Sequence, residues 1–242
     1  MKKIALALIL LILGAILFRQ ILLKGPERQA ASGKNLVALG SSMTKANNLS
    51  SNLVGDHPEY SFVTGTKVES LYLYLKKKGE DINPTNLAES GANSQKVLSQ
   101  QVPNALSFQP KYITVDIMTD IFEEDTPVKF KSNLIQIVKQ IKNQENTVLI
   151  GTYPNLVLMR QASFPSCSQD KLGLGTTKLT QGKLKLFNQA ISEVASTYGL
   201  ILVDNFNSLG PKEVSDYDCL HPNIEGQKAL AKAWITALEK RR

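Results

Sequence analysis

Cleaving an ester or amide with a serine takes a hydroxyl nucleophile, a base to receive its proton and a carboxylate to orient that base. Histidine is the usual base near neutral pH, and this chain has two, His57 and His221. His57 lies in Gly55-Asp56-His57-Pro58, a polar turn that reads as an exposed loop. His221 lies in Asp218-Cys219-Leu220-His221-Pro222. There Asp218 can fold back to accept from the imidazole Nδ1–H, which leaves Nε2 to take a proton. For the nucleophile the candidate is Ser42, in Gly40-Ser41-Ser42-Met43-Thr44, just past a short apolar run. A turn there would expose its hydroxyl, although a turn serine or helix N-cap would have the same look.

These residues act together only if the fold joins positions some 180 residues apart. Buried-strand patterns occur at Asn35–Gly40, at Asn86–Ala88 running into Ser90-Gly91-Ala92, at Tyr112–Met118, at Thr147–Gly151 and at Leu200–Asp204. Between them lie helical patterns at Thr66–Lys78, Ser94–Leu106 (interrupted at Pro103), Val128–Lys142 and Leu179–Tyr198, with a last helix at Glu225–Lys240. Residues 155–178 read as an irregular surface loop rich in Ser, Gly and Thr. Strands alternating with helices predict an α/β fold, a three-layer α/β/α sandwich around a roughly five-stranded parallel sheet. In such sheets functional groups collect at the carboxyl ends of the strands. Ser42, Gly91 and the stretch after Tyr112–Met118 all fall there.

The three strand-end motifs, in order, resemble the blocks of the GDSL/SGNH hydrolase family over about residues 35–240. Gly40-Ser41-Ser42-Met43-Thr44 is similar to the first block, Gly-Asp-Ser-Leu-Thr/Ser, with Ser41 in place of Asp. Asn86-Leu87-Ala88-Glu89-Ser90-Gly91-Ala92 resembles the second, whose glycine N–H helps to form the oxyanion hole. Asp218-Cys219-Leu220-His221-Pro222 resembles the fifth, Asp-x-x-His. The third block, Gly-x-Asn-Asp, is altered to Met118-Thr119-Asp120-Ile121: one register puts Asp120 where the family has its oxyanion-binding Asn, and a shift of one puts Thr119 there.

The resemblance implies a flavodoxin-like SGNH fold and a serine esterase or lipase, with Ser42 as nucleophile, His221 as base and Asp218 as its orienting acid. Oxyanion donors would be the Ser42 and Gly91 N–H groups with Asp120 or Thr119, and no metal or organic cofactor is required. Implied substrates are small acyl esters of lipids, lysophospholipids or acetylated glycans. An ionised Asp120 would repel an oxyanion, so the same motifs also admit a catalytically impaired envelope-binding relative. Acyl transfer to a sugar or lipid is a further alternative to hydrolysis.

The formal charge of +7 belongs to the two ends of the chain. Residues 1–28 carry +4, the tail Lys240-Arg241-Arg242 carries +3, and the body between them is neutral. Such a distribution leaves no basic footprint for nucleic acid. Lys2-Lys3 precede an uncharged apolar run from Ile4 to Phe18, resumed at Ile21-Leu22-Leu23. Residues 1–23 therefore read as a signal-anchor helix or a cleaved signal peptide, with the lysines cytoplasmic and the rest exported. Residues 24–34 read as a polar linker and 35–242 as the single hydrolase domain. In an exported chain Cys167 and Cys219 are expected to pair, two unrelated thiols being the alternative. Such a bond would tie the 155–178 loop to the His221 loop.

Overall fold

The computed structural model describes residues 35–123, 126–163 and 179–241. The N-terminal apolar segment, the linker and Cys167 lie outside the described residues. Five runs extend as strands: β1 (Asn35–Gly40), β2 (Asn83–Asn86), β3 (Tyr112–Asp116), β4 (Thr147–Gly151) and β5 (Ile201–Val203). All neighbours pair in parallel, in the order β2-β1-β3-β4-β5. Every residue of β3, and every residue of β1 after Asn35, is buried. That burial explains why these strands read as unbroken apolar runs instead of alternating ones. β2 starts earlier than its sequence suggested and contains Pro84, which is tolerated because the strand forms the sheet edge.

The helices are α1 (Leu71–Lys77), an interrupted helix α2 over 94–107, α3 (Pro127–Ile141), α4 (Leu156–Ser163), α5 (Gln181–Tyr198) and α6 (Ile224–Glu239). α1 begins at Leu71 and not at Thr66 because Ser70 caps it, accepting from Leu73 N at 3.2 Å. Within α2, Pro103 does not end the helix. The turn before it widens to π geometry over Val97–Gln101, with Val102 N–H donating to Val97 O, and this wider turn accommodates the donor that proline lacks. The 155–178 loop is corrected in part: it opens with α4, whose start Asn155 caps by accepting from Leu158 N at 3.2 Å. Its Leu156 and Met159 are fully buried at helical spacing.

α1 packs on α6, whereas α3 packs on both α2 and α5. Parallel strands joined by right-handed crossovers require this division. The chain leaves β1 toward β2 on one side and then crosses back to β3, β4 and β5 on the other. The reversal creates a crevice between the carboxyl ends of β1 and β3, where α/β sheets of this order bind ligands.

Candidate active site

Gly40 ends β1 opposite Asp116 of β3, and the chain then turns sharply through Ser41-Ser42. A Cβ on Gly40 would stand 2.4 Å from the Asp116 carbonyl oxygen, so only glycine allows the turn to sit this close to β3. Gln101 of α2 holds the same residue from both sides: Gly40 N–H donates to its Oε1 at 2.9 Å, and its Nε2 donates to Gly40 O at 2.9 Å. Beyond the turn, Asn86 Nδ2 donates to Thr44 O at 3.0 Å and Gln227 Nε2 of α6 donates to Met43 O at 3.1 Å. Ser42 is thereby carried on a loop fixed to β2, β3, α2 and α6, while it stays half-exposed.

Beneath this loop lies a carboxylate that no sequence motif marks. Asp116 is fully buried. Its Oδ2 accepts from Thr44 Oγ1 at 3.0 Å, and Asn205 Nδ2 lies 3.5 Å from its Oδ1. Asn205 is itself held by Trp234, whose indole Nε1–H donates to its Oδ1 at 3.1 Å. Burial outweighs the Thr44 bond and pushes the Asp116 carboxyl up to about 7.

At the far end of the chain, Asp218 and His221 face each other across a tight turn. Imidazole Nδ1 lies 2.7 Å from Asp218 Oδ2. Asp218 Oδ1 accepts from the Leu220 and His221 N–H groups at 3.0 Å each, which fixes the carboxylate to its own loop. Burial of Asp218 opposes ionisation, but the bonds and charge of His221 and these N–H groups together hold its pKa below the ordinary value. An ionised, buried carboxylate on Nδ1 favours the tautomer with its proton there, which leaves Nε2 as acceptor.

Two short bridges bring this loop to the Ser42 loop. Asn48 Nδ2 donates to Asp218 Oδ2 at 3.0 Å, and Asp216 accepts from Ser51 N at 2.8 Å and Ser51 Oγ at 3.0 Å. Asp56 in turn accepts from Asn47 Nδ2 at 2.7 Å and Ser90 Oγ at 2.6 Å, drawing in the turn that carries Gly91. His57 takes no part. It is not the exposed loop residue that its sequence suggested, since its N–H bonds to Lys45 O and Ala46 O and its side chain is only 22% accessible.

The altered third block divides between the interior and the crevice. Asp120 is fully buried and turned away from the crevice, accepting from Ser94 N at 2.8 Å and Ser94 Oγ at 2.5 Å at the start of α2. Its carboxylate is engaged with a helix N-terminus, where anionic charge is favourable, and Asp120 is not among the residues that line the crevice. Thr119 instead borders the crevice. The Ser42 and Gly91 N–H groups, the latter in a turn at φ +77°, have no intramolecular acceptor among the described residues.

Ser42, Ser90, Gly91, Thr119 and His221 all line one cleft of about 330 Å³. Met43, Met118, Phe122 and Leu220 give it apolar walls, and Asn47, Asn48 and Glu123 complete it. No hydrogen bond joins Ser42 Oγ to His221 Nε2 among the described residues, and catalytic contacts of this kind commonly close only when substrate is bound. The structure thus brings together Ser42, Gly91, Thr119, Asp218 and His221 and separates Asp120 and His57 from them.

Residues 38–229 match the sequence profile of the GDSL-like Lipase/Acylhydrolase family. No curated protein matches the chain by sequence. Among solved structures the fold is similar to a lipase/acylhydrolase from Enterococcus faecalis, at TM-score 0.66 and 18% identity, covering 86% of this chain and 96% of that one. TesA superposes at TM-score 0.63 and 18% identity, over 86% of this chain and 99% of its own. An acetyl xylan esterase from Geobacillus stearothermophilus does so at TM-score 0.59 and 15% identity, over 86% and 95%.

Proposed function

The chain belongs to the GDSL-like lipase/acylhydrolase family, and from that premise we propose that it is a serine hydrolase of acyl esters working through Ser42, His221 and Asp218. The observation that carries the reading is the joint one: Ser42 and His221 line a single cleft while Asp218 holds the far side of the imidazole at 2.7 Å. Ser42 Oγ attacks the ester carbonyl carbon as His221 Nε2 takes its proton, and Asp218 stabilises the imidazolium that results. The N–H groups of Ser42 and Gly91, with the Thr119 hydroxyl, donate to the oxyanion. When the tetrahedral adduct collapses, the C–O bond to the alcohol breaks and His221 returns the proton to the leaving oxygen. Water activated by the same imidazole then releases the acid and frees Ser42. Asp120 does not oppose this chemistry, because its charge faces Ser94.

A p-nitrophenyl acyl ester series tests the reading. Ser42→Ala is expected to abolish turnover, and Asp218→Asn to lower kcat by on the order of 1000-fold or more by releasing the imidazole. Turnover that survives Ser42→Ala would refute it.

We also propose, from the apolar N-terminal run behind Lys2-Lys3, that the domain is exported and either tethered by that segment or released by cleavage. No helix among the described residues is long and apolar enough to cross a membrane. In that compartment Cys219 is expected to pair with Cys167, giving up to about 4 kcal/mol in the chain-entropy view. Alkylation and mass mapping of exported protein test the bond, and two alkylated thiols would refute it.

A further inference from the structure

Among the described residues, the cleft that Ser42 and His221 share is lined by one formal charge, and it is negative. Glu123 follows the Thr119–Ile121 turn at the carboxyl end of β3 and contributes to the same wall as Thr119 and Phe122. Its carboxylate is anchored on one side only: Oε2 accepts from Asn93 Nδ2 at 2.8 Å, while Oε1 has no partner among the described residues. The nearby cation, Lys183, donates to the Glu123 backbone carbonyl at 3.2 Å rather than to the carboxylate. Lys96 is bound to Glu89. Among the described residues no lysine or arginine lines the cleft. Two more carboxylates stand directly behind its wall, Asp218 against His221 and Asp56 against Asn47 and Ser90. Among the described residues these carboxylates add to one negative field, which Lys183, bound to the Glu123 backbone and not to its carboxylate, offsets only in part.

Resting on the esterase reading of this cleft, we propose that Glu123 is a specificity-determining residue that selects substrates by charge. Its open Oε1 receives a hydrogen-bond donor of the substrate, a hydroxyl or an ammonium group, and the field around it rejects esters bearing a carboxylate or an exposed phosphate. Neutral hydroxylated esters and cationic esters are thereby favoured, and anionic lipid headgroups are excluded. Asn93 has a positioning role, since its amide also caps α2 by accepting from Lys96 N at 2.9 Å; it fixes the carboxylate to a rigid helix start and keeps it from folding out to solvent. In a half-exposed site a unit charge a few ångströms from the substrate's own charge changes binding by about tenfold, and salt weakens the effect.

The test compares kcat/KM across esters matched in size and differing in charge. One series varies the acyl group of p-nitrophenyl esters (butyrate, the hemiglutarate anion, a 4-trimethylammonio-butyrate). The other varies the alcohol (butyrylcholine against 3,3-dimethylbutyl butyrate). Wild-type protein is expected to prefer the cation by about tenfold or more, over the anion in the acyl series or over the neutral isostere in the alcohol series, with the preference compressed at high salt. Glu123→Gln is expected to remove most of that ratio and Glu123→Lys to invert it. A wild-type ratio near one in both series, a ratio insensitive to salt, or the same ratio in Glu123→Gln would each overturn the proposal. The salt dependence needs no variant, so it decides the matter even if the substitutions fail to fold. Loss of turnover in Ser42→Ala is scored on the neutral butyrate alone, which keeps failure of the esterase reading distinct from failure of this one.

Discussion

Replacing Asp116 by Asn removes the one described carboxylate that is sealed under the Ser42 loop with only neutral partners, Thr44 and Asn205. The folded protein keeps the Asp116 proton up to about pH 7, whereas the ordinary value is 3.8. Between those values the folded state binds the extra proton, so raising the pH favours the unfolded chain. The penalty is absent below the lower value, grows through the interval and is complete above the upper one. The full shift of roughly 3 units corresponds to about 4 kcal/mol. About 3 kcal/mol of it develops between pH 5 and pH 8. This window also avoids Asp218, whose lowered pKa has the opposite effect: its contribution to stability is present above the ordinary carboxylate range and lost only on strong acidification. Urea unfolding at pH 5 and pH 8, for wild type and Asp116→Asn, isolates the term because histidines contribute equally to both proteins. Wild type is expected to lose about 3 kcal/mol more than the variant across the window. Equal pH slopes in the two proteins would refute the reasoning, and with it the view that burial rather than the Thr44 bond governs this carboxyl.

Three further outcomes are expected. Thr119→Ala should lower kcat on neutral esters by about 100-fold with little change in KM, as befits loss of a donor used only in the transition state, and Thr119→Asn should retain activity. Gln101→Ala should destabilise the protein by about 2–3 kcal/mol in denaturant unfolding, because the Gly40 N–H and C=O both lose a buried partner. Gly151→Ala places a Cβ 2.5 Å from Asn205 Nδ2 and 2.8 Å from Trp234 Cζ2. It should cost about 1–3 kcal/mol and lower the melting temperature by several degrees.

Much of the site was legible because its chemistry is local. Asp218 and His221 sit three residues apart, so their pairing could be read without knowing the fold, and the scarcity of histidine narrowed the choice of base. Gly40 and Gly91 also announced themselves as turn residues at strand ends. Glutamines are different: nothing in the sequence around Gln101 or Gln227 distinguishes them from surface residues, yet each is buried and bonded to backbone far away along the chain. Asp116 looks in sequence like one more strand residue, and its unusual carboxyl arises only from what β1, β4 and α6 pack around it. α4 was missed because a Ser- and Gly-rich composition further along the segment outweighed a legible signal, the Asn155 cap and the Leu156/Met159 spacing.

By itself the sequence determined the parallel α/β architecture, the order of its strand-end motifs and the pairing of Asp218 with His221, since hydrophobic periodicity and short-range spacing are written along the chain. The tertiary structure alone decided which residue of the altered third block faces the cleft. A one-residue shift in register exchanges Thr119 for Asp120, and sequence contains no term that separates the two. The folded chain does so through Ser94: its N–H and hydroxyl at the start of α2 draw the Asp120 carboxylate inward. Thr119 is left on the cleft wall beside Ser42, Gly91 and His221.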